Sequence, residues 1–394
     1  MISLVDVRPF KGISYSIKNI ENLVTEPYDK ISKQMQKEYY EKSPYNFIRI
    51  NLPNEIDPYT SSKKTIESWL KEKILTKDKE LYFYFYIQQF RLFEKKYERF
   101  GFFAAVKLED YSEKKILPHE RTFKGPKEDR LKMLRSTNMD LEPVFFLYDD
   151  PAMEIKKIFE DSNKELEFDI TVNGIRHVLY KVKSDYITKF FNDKQLVIAD
   201  GHHRYETALA YAKEKNFENG TGYIMAVLVN RLDPGLVILP SHRVLKITID
   251  NDEFIEQVKN FFDVKVLDIK NIKNSINDDI VYVNQNKAYS LNLKKEYLSN
   301  KLSENINVSY LNNYIFNRIL NIQDREKIIF ERWVEDALND IKDGSGIAFI
   351  LKAVNPSVVW DVARNGEIMP EKSTDFYPKL LSGLKMMDLN EKIF

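Results

Sequence analysis

A strand, a glycine turn, a helix and a second strand follow one another between residues 195 and 230. Residues 195–199 form a short apolar run (QLVIA), and the pair Asp200-Gly201 interrupts it with residues typical of turns. Residues 205–215 carry small and apolar side chains at helical spacing, and residues 223–230 are almost entirely apolar. Strands that alternate with helices in this way favour a mixed α/β fold.

The rest of the chain shows the same mixture of strand and helix signals. The alternation of apolar and polar residues predicts a strand at 47–52, and the charged, helix-favouring stretch at 324–342 predicts the longest helix. The remaining predictions are paired strands at 81–90 and 101–108, helices at 60–73 and 127–137, and a hairpin at 168–183 around Asn173-Gly174.

The chain is long enough for two or three domains, since it has 394 residues and domains average roughly 100–200. We predict four regions. They are an N-terminal mixed α/β region (1–150), a core with the Asp200 turn (151–245), a small inserted α/β subdomain (246–305) and a C-terminal helical region (306–394) whose tail packs back on the site.

Charge and composition exclude several classes of protein. Sixty Lys and Arg residues balance 60 Asp and Glu residues, so no overall charge favours nucleic acid or an anionic membrane. The absence of cysteine excludes disulfides, thiolate metal ligands and thiol nucleophiles. No signal peptide or apolar run of about 20 residues occurs. We expect a cytoplasmic protein without nucleic-acid or membrane partners.

The segment Asp200-Gly201-His202-His203-Arg204 carries the strongest chemical signal. A helix N-terminus favours anions, and Arg204 adds a forked donor that suits phosphate. The two histidines can donate to phosphate or move protons near neutral pH. Asp200 can accept a proton or bind Mg²⁺ through oxygen. The structural alternative is that Asp200 caps the helix while both histidines pack or face solvent.

Histidine is scarce, and its placement suggests one shared site. Of five histidines, His202 and His203 lie in the segment above, while His119 and His242 each have charged neighbours. His177 lies in ordinary strand sequence. We therefore expect these segments to converge. A metal site of His, Asp and Glu from distant segments stays open, although the HExxH spacing is absent.

Two further segments offer candidate groups. The tail residues Lys372, Ser373, Thr374 and Lys379 provide two cations and two hydroxyls, which suit either phosphate binding or a solvated surface turn. Near the N-terminus, Glu26 precedes a proline and provides either a general base or part of an ordinary turn. The Walker A, GxGxxG and GxSxG motifs are absent.

Together these segments resemble one family over nearly the whole chain, the domain of unknown function numbered one thousand and fifteen. The matching motifs, in order, are Arg8-Pro9-Phe10, Pro27-Tyr28-Asp29, His119-Glu120-Arg121-Thr122, the run from Ala199 to Glu206, Pro240-Ser241-His242-Arg243, and the run from Lys372 to Lys379. Membership alone implies no function.

A local resemblance over residues 165–245 is more informative. The strand, the run from Asp200 to Arg204 and the helix are similar to the core motif of the ParB/sulfiredoxin-like superfamily, whose free serine kinases carry a very similar run. This implies a ParB/sulfiredoxin-like core in which Gly201, His202, His203 and Arg204 grip nucleotide phosphates. It also implies that Asp200 lies beside the transferred group, with Glu26 as the base. Sulfiredoxin chemistry requires a cysteine, which this chain lacks.

The resulting hypothesis is a phosphotransferase that uses ATP or ADP with Mg²⁺ and acts on a small hydroxylated metabolite, with free serine as the specific case. In it Asp200, Glu26 and His202 are catalytic, and Tyr28, Asp29 and Glu120 contact substrate. The expected phosphate or nucleotide ligands are Gly201, His203, Arg204, His119, Arg121, His242, Arg243, Lys372, Ser373, Thr374 and Lys379. Two alternatives are a metal-assisted or phosphoester hydrolase and a non-catalytic nucleotide-binding regulator.

Overall fold

The computed structural model describes residues 5–120, 126–269, 272, 278–284, 287–322, 327–344 and 346–393. Its strands are β1 (Val7–Arg8), β2 (Gly12–Tyr15), β3 (Leu75–Lys77), β4 (Phe83–Leu92), β5 (Lys95–Lys107), β6 (Ile116–Leu117), β7 (Met139–Asp140), β8 (Val144–Tyr148), β9 (Lys164–Val172), β10 (Ile175–Val182), β11 (Leu196–Asp200), β12 (Tyr223–Asn230), β13 (Val237–Leu239), β14 (His242–Leu245), β15 (Phe262–Leu267), β16 (Ile280–Asn284), β17 (Lys287–Leu293), β18 (Ile329–Glu331), β19 (Ile347–Leu351), β20 (Asp375–Tyr377) and β21 (Met386–Asp388).

The helices are α1 (Lys33–Lys42), α2 (Ile48–Asn51), α3 (Pro58–Lys71), α4 (Pro126–Thr137), α5 (Glu154–Asp161), α6 (Asp185–Phe190), α7 (His202–Glu214), α8 (Asn251–Val258), α9 (Asn307–Tyr310), α10 (Val334–Asp340) and α11 (Pro356–Arg364). A π-helix covers Leu311–Ile319, and 3₁₀ turns cover Tyr28–Lys30, Tyr111–Glu113, Phe191–Asp193, Asn219–Gly222, Lys295–Tyr297 and Leu302–Glu304. This mixture confirms the predicted α/β class. Within the described part of the chain, every helix is too short or too polar to cross a bilayer.

The chain divides into two compact units. Unit 1 contains Met1–Pro118, Thr122–Leu236 and Pro378–Phe394, and unit 2 contains His119–Arg121 and Val237–Tyr377. The four regions predicted from the sequence divide the chain differently, and they stay a prediction about its domains.

Unit 1 is built on a large mixed sheet. In the described residues its order is β6-β11-β8-β12-β5-β4-β10-β9, with β1 paired to β5. The pairs β11–β6 and β12–β8 are parallel, and the others are antiparallel. One face packs on α5, α6 and α7 through a core of aromatic and aliphatic side chains. Burial of each such side chain stabilises the fold by about 1.5–3 kcal/mol.

Alternation along β4 assigns its side chains to two faces. Phe83 and Phe85 belong to the helix-covered core, whereas Tyr84, Tyr86 and Gln88 lie on the opposite face and are also buried. This opposite face therefore contains polar groups that must find hydrogen-bond partners inside the protein.

A smaller sheet of unit 1 joins distant parts of the chain. As far as the structure describes it, its order is β3-β2-β21-β7. The strand β21, near residue 387, pairs with β2 near residue 13 and with β7 near residue 140. The sheet ties the C-terminal segment into the N-terminal half of unit 1.

Several predicted elements of unit 1 are confirmed. The strands β4 and β5 pair antiparallel, and β9 and β10 form the predicted hairpin, in which Asn173 and Gly174 have φ values of 51° and 76°. Such left-handed backbone is what a two-residue hairpin turn requires. The helix α3 also forms, and its N-terminus is capped by Asp57, whose side chain accepts from the Thr60 N–H at 3.1 Å.

The predicted strand at 47–52 is wrong, since this segment contains α2. The side-chain oxygen of Asn46 accepts from the Ile48 N–H at 2.9 Å, which starts a helical turn. Ile48 and Ile50 are both fully buried, so the apolar positions point into protein on more than one side of the turn. Six residues of alternating polarity do not distinguish such a turn from a strand.

Unit 2 contains a second sheet, which in its described part has the order β15-β17-β16-β19-β14-β18. Its strands come from residues 242–351, so β15, β16 and β17 from the predicted insertion share a sheet with β14, β18 and β19 from outside it. Val334 and Ala337 of the helix α10, together with Ile341 directly after it, cover one face. A separate pair, β13 and β20, is antiparallel.

The long helix predicted at 324–342 is also wrong. Residues 329–331 form β18, which pairs with β14, and only Val334–Asp340 is helical. Residues 323–326 lie outside the described part. Because Ile329 and Phe330 complete a ladder with Val244 and Arg243, tertiary pairing overrides the helical composition of the segment.

Candidate functional site

The junction between β11 and α7 forms the centre of the candidate site. Asp200 is the last residue of β11, Gly201 is the N-cap residue of α7, and His202 is the first helical residue. The first N–H groups of a helix have no intrahelical acceptor, and Gly201 has no side chain to cap them. The helix begins three residues earlier than the sequence pattern predicts, so His202, His203 and Arg204 belong to its first turn.

Gly201 is required by both its backbone and its surroundings. Its φ of 95° lies in the left-handed region. A Cβ atom here would also lie 3.0–3.1 Å from three atoms of the Arg204 guanidinium. The Arg204 side chain therefore folds back against the turn that starts its own helix.

Asp200 forms an ion pair with Lys379, with 2.9 Å between Oδ2 and Nζ. The Lys379 side chain is 8% exposed and that of Asp200 is 31% exposed. Burial alone would raise the pKa of the Asp200 carboxyl, but the charges of Lys379, Arg204 and Lys30 hold it well below the ordinary value. Three cations thus act on the Asp200 carboxylate, while Asp29 and Glu142 place negative charge near Arg204.

The Arg204 guanidinium is engaged by protein groups. Its Nη1 donates to the Pro143 carbonyl oxygen. Burial would lower its pKa, but the charges of Glu142, Asp200 and Asp29 raise it. Arg204 thus stays charged and links the α7 N-terminus to the segment before β8.

Glu142 is a buried carboxylate that the sequence analysis missed. Its Oε1 accepts three hydrogen bonds, from the Tyr28 N–H at 2.9 Å, from Asn51 Nδ2 at 2.6 Å and from Ser382 Oγ at 2.6 Å. Only 4% of the residue is exposed. An acidic residue between Leu141 and Pro143, directly before an apolar strand, is the signal that could have identified it, because buried acids are rare unless paired.

The N-terminal segment around Tyr28 contacts the Glu142 carboxylate. Thr25 and Ser382 exchange backbone hydrogen bonds of 3.1 and 2.9 Å, and the Glu26 N–H donates to the Tyr39 hydroxyl at 3.3 Å. Tyr28 lies under the Arg130 guanidinium, 4.3 Å from the ring centre. Burial raises the pKa of the Tyr28 hydroxyl to about 12, so it stays protonated at neutral pH.

In unit 1 the structure therefore gathers residues from three predicted segments. Tyr28 and Asp29 are near enough to Arg204 to affect its charge, and Lys379 contacts Asp200 directly. Glu26 is half-buried, and Asp29 is exposed. His202 is 9% exposed and His203 is half-buried, both on the first turn of α7.

A second group of predicted residues lies in unit 2, around the tail. His119 Nε2 and Thr374 Oγ1 are 3.1 Å apart, and Glu120 Oε1 accepts from the Lys372 N–H at 2.8 Å. Arg243 donates to the Lys372 carbonyl oxygen at 2.8 Å. The Lys372 side chain is exposed, and its backbone has a φ of 57°. The His119, Glu120 and Arg243 side chains thus fix a strained turn.

The remaining predicted residues of unit 2 are buried or undescribed. His242 is 1% exposed, and its Nδ1 accepts from the Leu351 N–H at 3.1 Å. Burial lowers the pKa of His242 to about 4, so its ring is neutral at pH 7. Ser373 is buried, and its hydroxyl donates to the Pro370 carbonyl oxygen at 2.5 Å. Arg121 lies outside the described residues.

The described residues do not contain three His, Asp or Glu side chains grouped so that they could hold a metal ion. Mg²⁺ is commonly bound by one or two carboxylates together with substrate phosphates, so a single carboxylate such as Asp200 fits that mode. It does not fit an all-protein zinc site, which needs three or four ligands.

Comparison with known proteins identifies the family. A family model described as "Protein of unknown function (DUF1015)" matches residues 7–314. The chain belongs to this family. The DUF1015 match includes the Asp200 turn and the His119 and His242 segments but ends before the tail at 372–379. A comparison of this DUF1015 chain with curated proteins found no match.

Solved structures similar to this DUF1015 chain include a free serine kinase in complex with AMP, with a TM-score of 0.40, 15% identity, and coverage of 70% of this chain and 88% of that one. A conserved hypothetical protein from Pyrococcus furiosus has a TM-score of 0.38 at 16% identity, covering 71% and 93%. SbnI with a C-terminal truncation, from Staphylococcus aureus, has a TM-score of 0.39 at 11% identity, covering 71% and 85%. Likenesses this weak carry no conclusion about the activity of the DUF1015 chain.

Proposed function

We propose that the protein is a cytoplasmic, nucleotide-dependent phosphotransferase that acts on a small hydroxylated metabolite, with free serine as the specific candidate. The observation that carries the proposal is the ion pair of Lys379 with Asp200 at the N-terminus of α7. A helix N-terminus with a lysine and an arginine at its first turn is suited to bind phosphate groups.

The cations around Asp200 are the groups that would attract an anionic ligand. Lys379, Arg204 and Lys30 act together on Asp200, and Asp29 and Glu142 offset part of this positive charge near Arg204. Phosphoryl transfer depends mainly on positioning and on stabilising the charge of the transferred group. In this proposal Lys379 and the α7 N–H groups contact the phosphate oxygens, and His203 and Arg204 lie at the edge of the same turn.

The proposed reaction moves one phosphoryl group. The acceptor hydroxyl loses its proton to a carboxylate, for which Glu26 is the candidate, and its oxygen forms a bond to the terminal phosphorus of ATP or ADP. The bond from that phosphorus to the bridging oxygen breaks, and the nucleotide leaves with the electron pair. A bound Mg²⁺ would neutralise phosphate charge, and Asp200 would hold it. Tyr28 and Asp29 border this region and are the proposed substrate contacts.

In unit 2 we propose that the tail turn at residues 372–374 binds a phosphate group or a nucleotide. Lys372 is exposed and Thr374 is half-buried, so both can reach a ligand. His119, Glu120 and Arg243 support the turn through the hydrogen bonds given above, while Ser373, within the turn, and His242 are buried. The contribution of Arg121 stays a prediction from the sequence.

The test is direct. Purified protein is incubated with ATP or ADP, Mg²⁺ and a panel of small alcohols that includes L-serine, and ³¹P NMR detects new phosphomonoesters. Lys379→Met should reduce the rate at least about tenfold, because a charge-assisted contact to phosphate is lost. Lys213→Met is the matched control, since Lys213 forms an exposed ion pair of the same 2.9 Å length with Asp110.

The outcomes separate the proposal from its alternatives. Release of inorganic phosphate or cleavage of a phosphoester, with no phosphorylated alcohol, would indicate a hydrolase. A rise in melting temperature with nucleotide but no turnover on any acceptor would indicate a binding protein. Wild-type rates in Lys379→Met would contradict the assignment of the site.

A further inference from the structure

Side chains of the unit 1 sheet hold the backbone of the tail at two successive residues. Arg99 Nη2 donates to the Pro378 carbonyl oxygen at 2.5 Å, and Gln88 Nε2 donates to the Lys379 carbonyl oxygen at 3.1 Å. We call Gln88 and Arg99 the tail clamp.

The strand register explains why these side chains lie together. Gln88 of β4 is directly opposite Arg99 of β5, and Tyr86 lies two residues before Gln88 on the same face. Arg99 also donates from Nε to Gln88 Oε1 at 3.0 Å, which orients the amide so that its NH₂ group points at the tail. Both Gln88 and Arg99 are 1% exposed.

Burial makes the clamp dependent on the tail. A buried guanidinium or amide is costly unless its donors are paired, and the two tail carbonyl oxygens are among their acceptors. Burial lowers the pKa of Arg99 to about 10, which still leaves it charged at neutral pH. The Arg99 guanidinium also lies 5.0 Å from the centre of the Phe145 ring. The clamp therefore holds the main chain around Lys379 rigidly.

From these contacts we infer that Gln88 and Arg99 are positioning residues, which fix the backbone of Lys379 so that its ammonium group lies on Asp200. Gln88 acts through Lys379 alone, whereas the charge of Arg99 also acts on Asp200. The importance of this for catalysis rests on the proposed function, whereas the positioning itself does not.

Lysine reactivity tests the positioning without any substrate. The full-length protein is treated with limiting acetic anhydride, and mass spectrometry gives the acetylation rate of each lysine. In Gln88→Met and Arg99→Met the Lys379 rate should rise about tenfold or more, because its ammonium group is released from Asp200. Gln89→Met is the matched control: Gln89 is the next residue of β4, on the opposite face, where it pairs with Glu98.

Lys385 reports on the remainder of the tail. It is fully buried, and its Nζ lies 2.6 Å from Glu167 Oε1 and 3.3 Å from Asp78 Oδ2. Its acetylation rate should stay unchanged in both clamp variants. An unchanged Lys379 rate in either folded variant would overturn the inference, and so would equal acceleration of Lys379 and Lys385, which would mean that the whole tail has detached. If Arg99→Met does not fold, the Lys379 acetylation rate in Gln88→Met alone decides whether the inference holds.

A kinetic comparison separates this inference from the proposed function. If phosphoryl transfer occurs, Gln88→Met should raise the nucleotide KM about as much as Lys379→Met, and the double variant should be no worse than Lys379→Met alone. An additive double variant would overturn the positioning role. Faster Lys379 acetylation in a protein that transfers no phosphate would sustain the positioning role and contradict only the proposed function.

Discussion

Asp200 and Lys379 are 179 positions apart in the sequence, and their side chains form a 2.9 Å ion pair. The pair connects the last residue of β11 to the tail that the clamp holds. The Lys379 side chain is 8% exposed and that of Asp200 is 31% exposed, so protein shields part of each charge from water. The ion pair compensates each residue for this loss of solvation. Removal of either partner should therefore change both ligand binding and stability.

The first prediction concerns acid stability. The folded-state pKa of Asp200 lies below its ordinary value of 3.8. Its stabilising contribution is therefore present above that pH and is lost as the pH falls below it. The difference in unfolding free energy between wild type and Asp200→Asn should shrink by about 1 kcal/mol from pH 7 to pH 3, allowing for partial solvent screening.

Urea unfolding at several pH values measures this difference. Asp110→Asn is the control, since Asp110 forms an exposed pair of equal length with Lys213. The control shows what the loss of an exposed ion pair of this length costs at each pH. A difference for Asp200→Asn that does not change with pH would contradict the assigned charge environment.

The second prediction has the opposite sign. Burial raises the pKa of Asp140 to about 7, although the Met225 N–H, which donates to its Oδ2 at 2.7 Å, and the charge of Arg204 both lower it. A raised folded-state pKa gives stability that is present below pH 3.8 and is lost as the pH rises through 7. Asp140→Asn keeps an oxygen acceptor and has no charge to bury.

The stability of Asp140→Asn relative to wild type should therefore rise with pH between about 4 and 7, by on the order of 1 kcal/mol per pH unit, and level off above 7. Unfolding curves at pH 5 and pH 8 suffice to measure it. Asp161→Asn, a change of the same kind at an exposed position, is the control. A relative stability that falls with pH would contradict the prediction.

The third prediction separates shape from charge at Glu142. Since all three hydrogen bonds to Glu142 are accepted by Oε1, Glu142→Gln can keep them and loses only the charge near Arg204. Glu142→Ala leaves three donors and a cation without their acceptor and should reduce the free energy of unfolding by about 3–5 kcal/mol. Glu142→Gln should cost clearly less.

Equilibrium unfolding in urea gives both values, and Glu160→Ala, at an exposed position, is the control for helix or surface effects of the substitution. If the Gln and Ala variants lose equal stability, the charge of Glu142 would outweigh its hydrogen bonds, contrary to this account.

The fourth prediction uses two glycines with left-handed backbone. Gly174→Ala meets no atom within 4 Å, so its cost is the backbone conformation alone, about 1 kcal/mol. Gly201→Ala adds contact with the Arg204 guanidinium, which is anchored on Pro143, and should cost about 1–2 kcal/mol more. Thermal unfolding compares the two variants.

Measured in an Arg204→Ala background, the cost of Gly201→Ala should fall to about that of Gly174→Ala, since the crowded atoms are then absent. A Gly201→Ala variant as stable as Gly174→Ala would show that Arg204 moves freely, and would remove the reason for a fixed guanidinium at this turn.

The β11–α7 junction could be predicted because its signals are local. An apolar run, an Asp-Gly pair and helical spacing lie within residues 195–215, and the structure differs only in starting the helix at His202. The segment at 47–52 could not be predicted, since its conformation depends on a cap from Asn46 and on burial from several sides.

The tail clamp was beyond sequence reasoning for another reason. Gln88 and Arg99 lie in a stretch whose pattern indicates only paired strands, and their partners are main-chain atoms of Pro378 and Lys379, nearly 300 positions later. Backbone acceptors carry no residue-type signal. Only the fold shows that these side chains face the tail.

The small sheet with the order β3-β2-β21-β7 has a consequence for synthesis on the ribosome. Its strand β21 is inserted between β2 and β7, so Ile13 and Asp140 have no neighbour on that side until residues 386–388 have emerged. A nascent chain must carry these open edges through most of its translation, and arrested chains shorter than this should be cleaved by protease near β2. The timing of assembly is thus set by the segment that is made late.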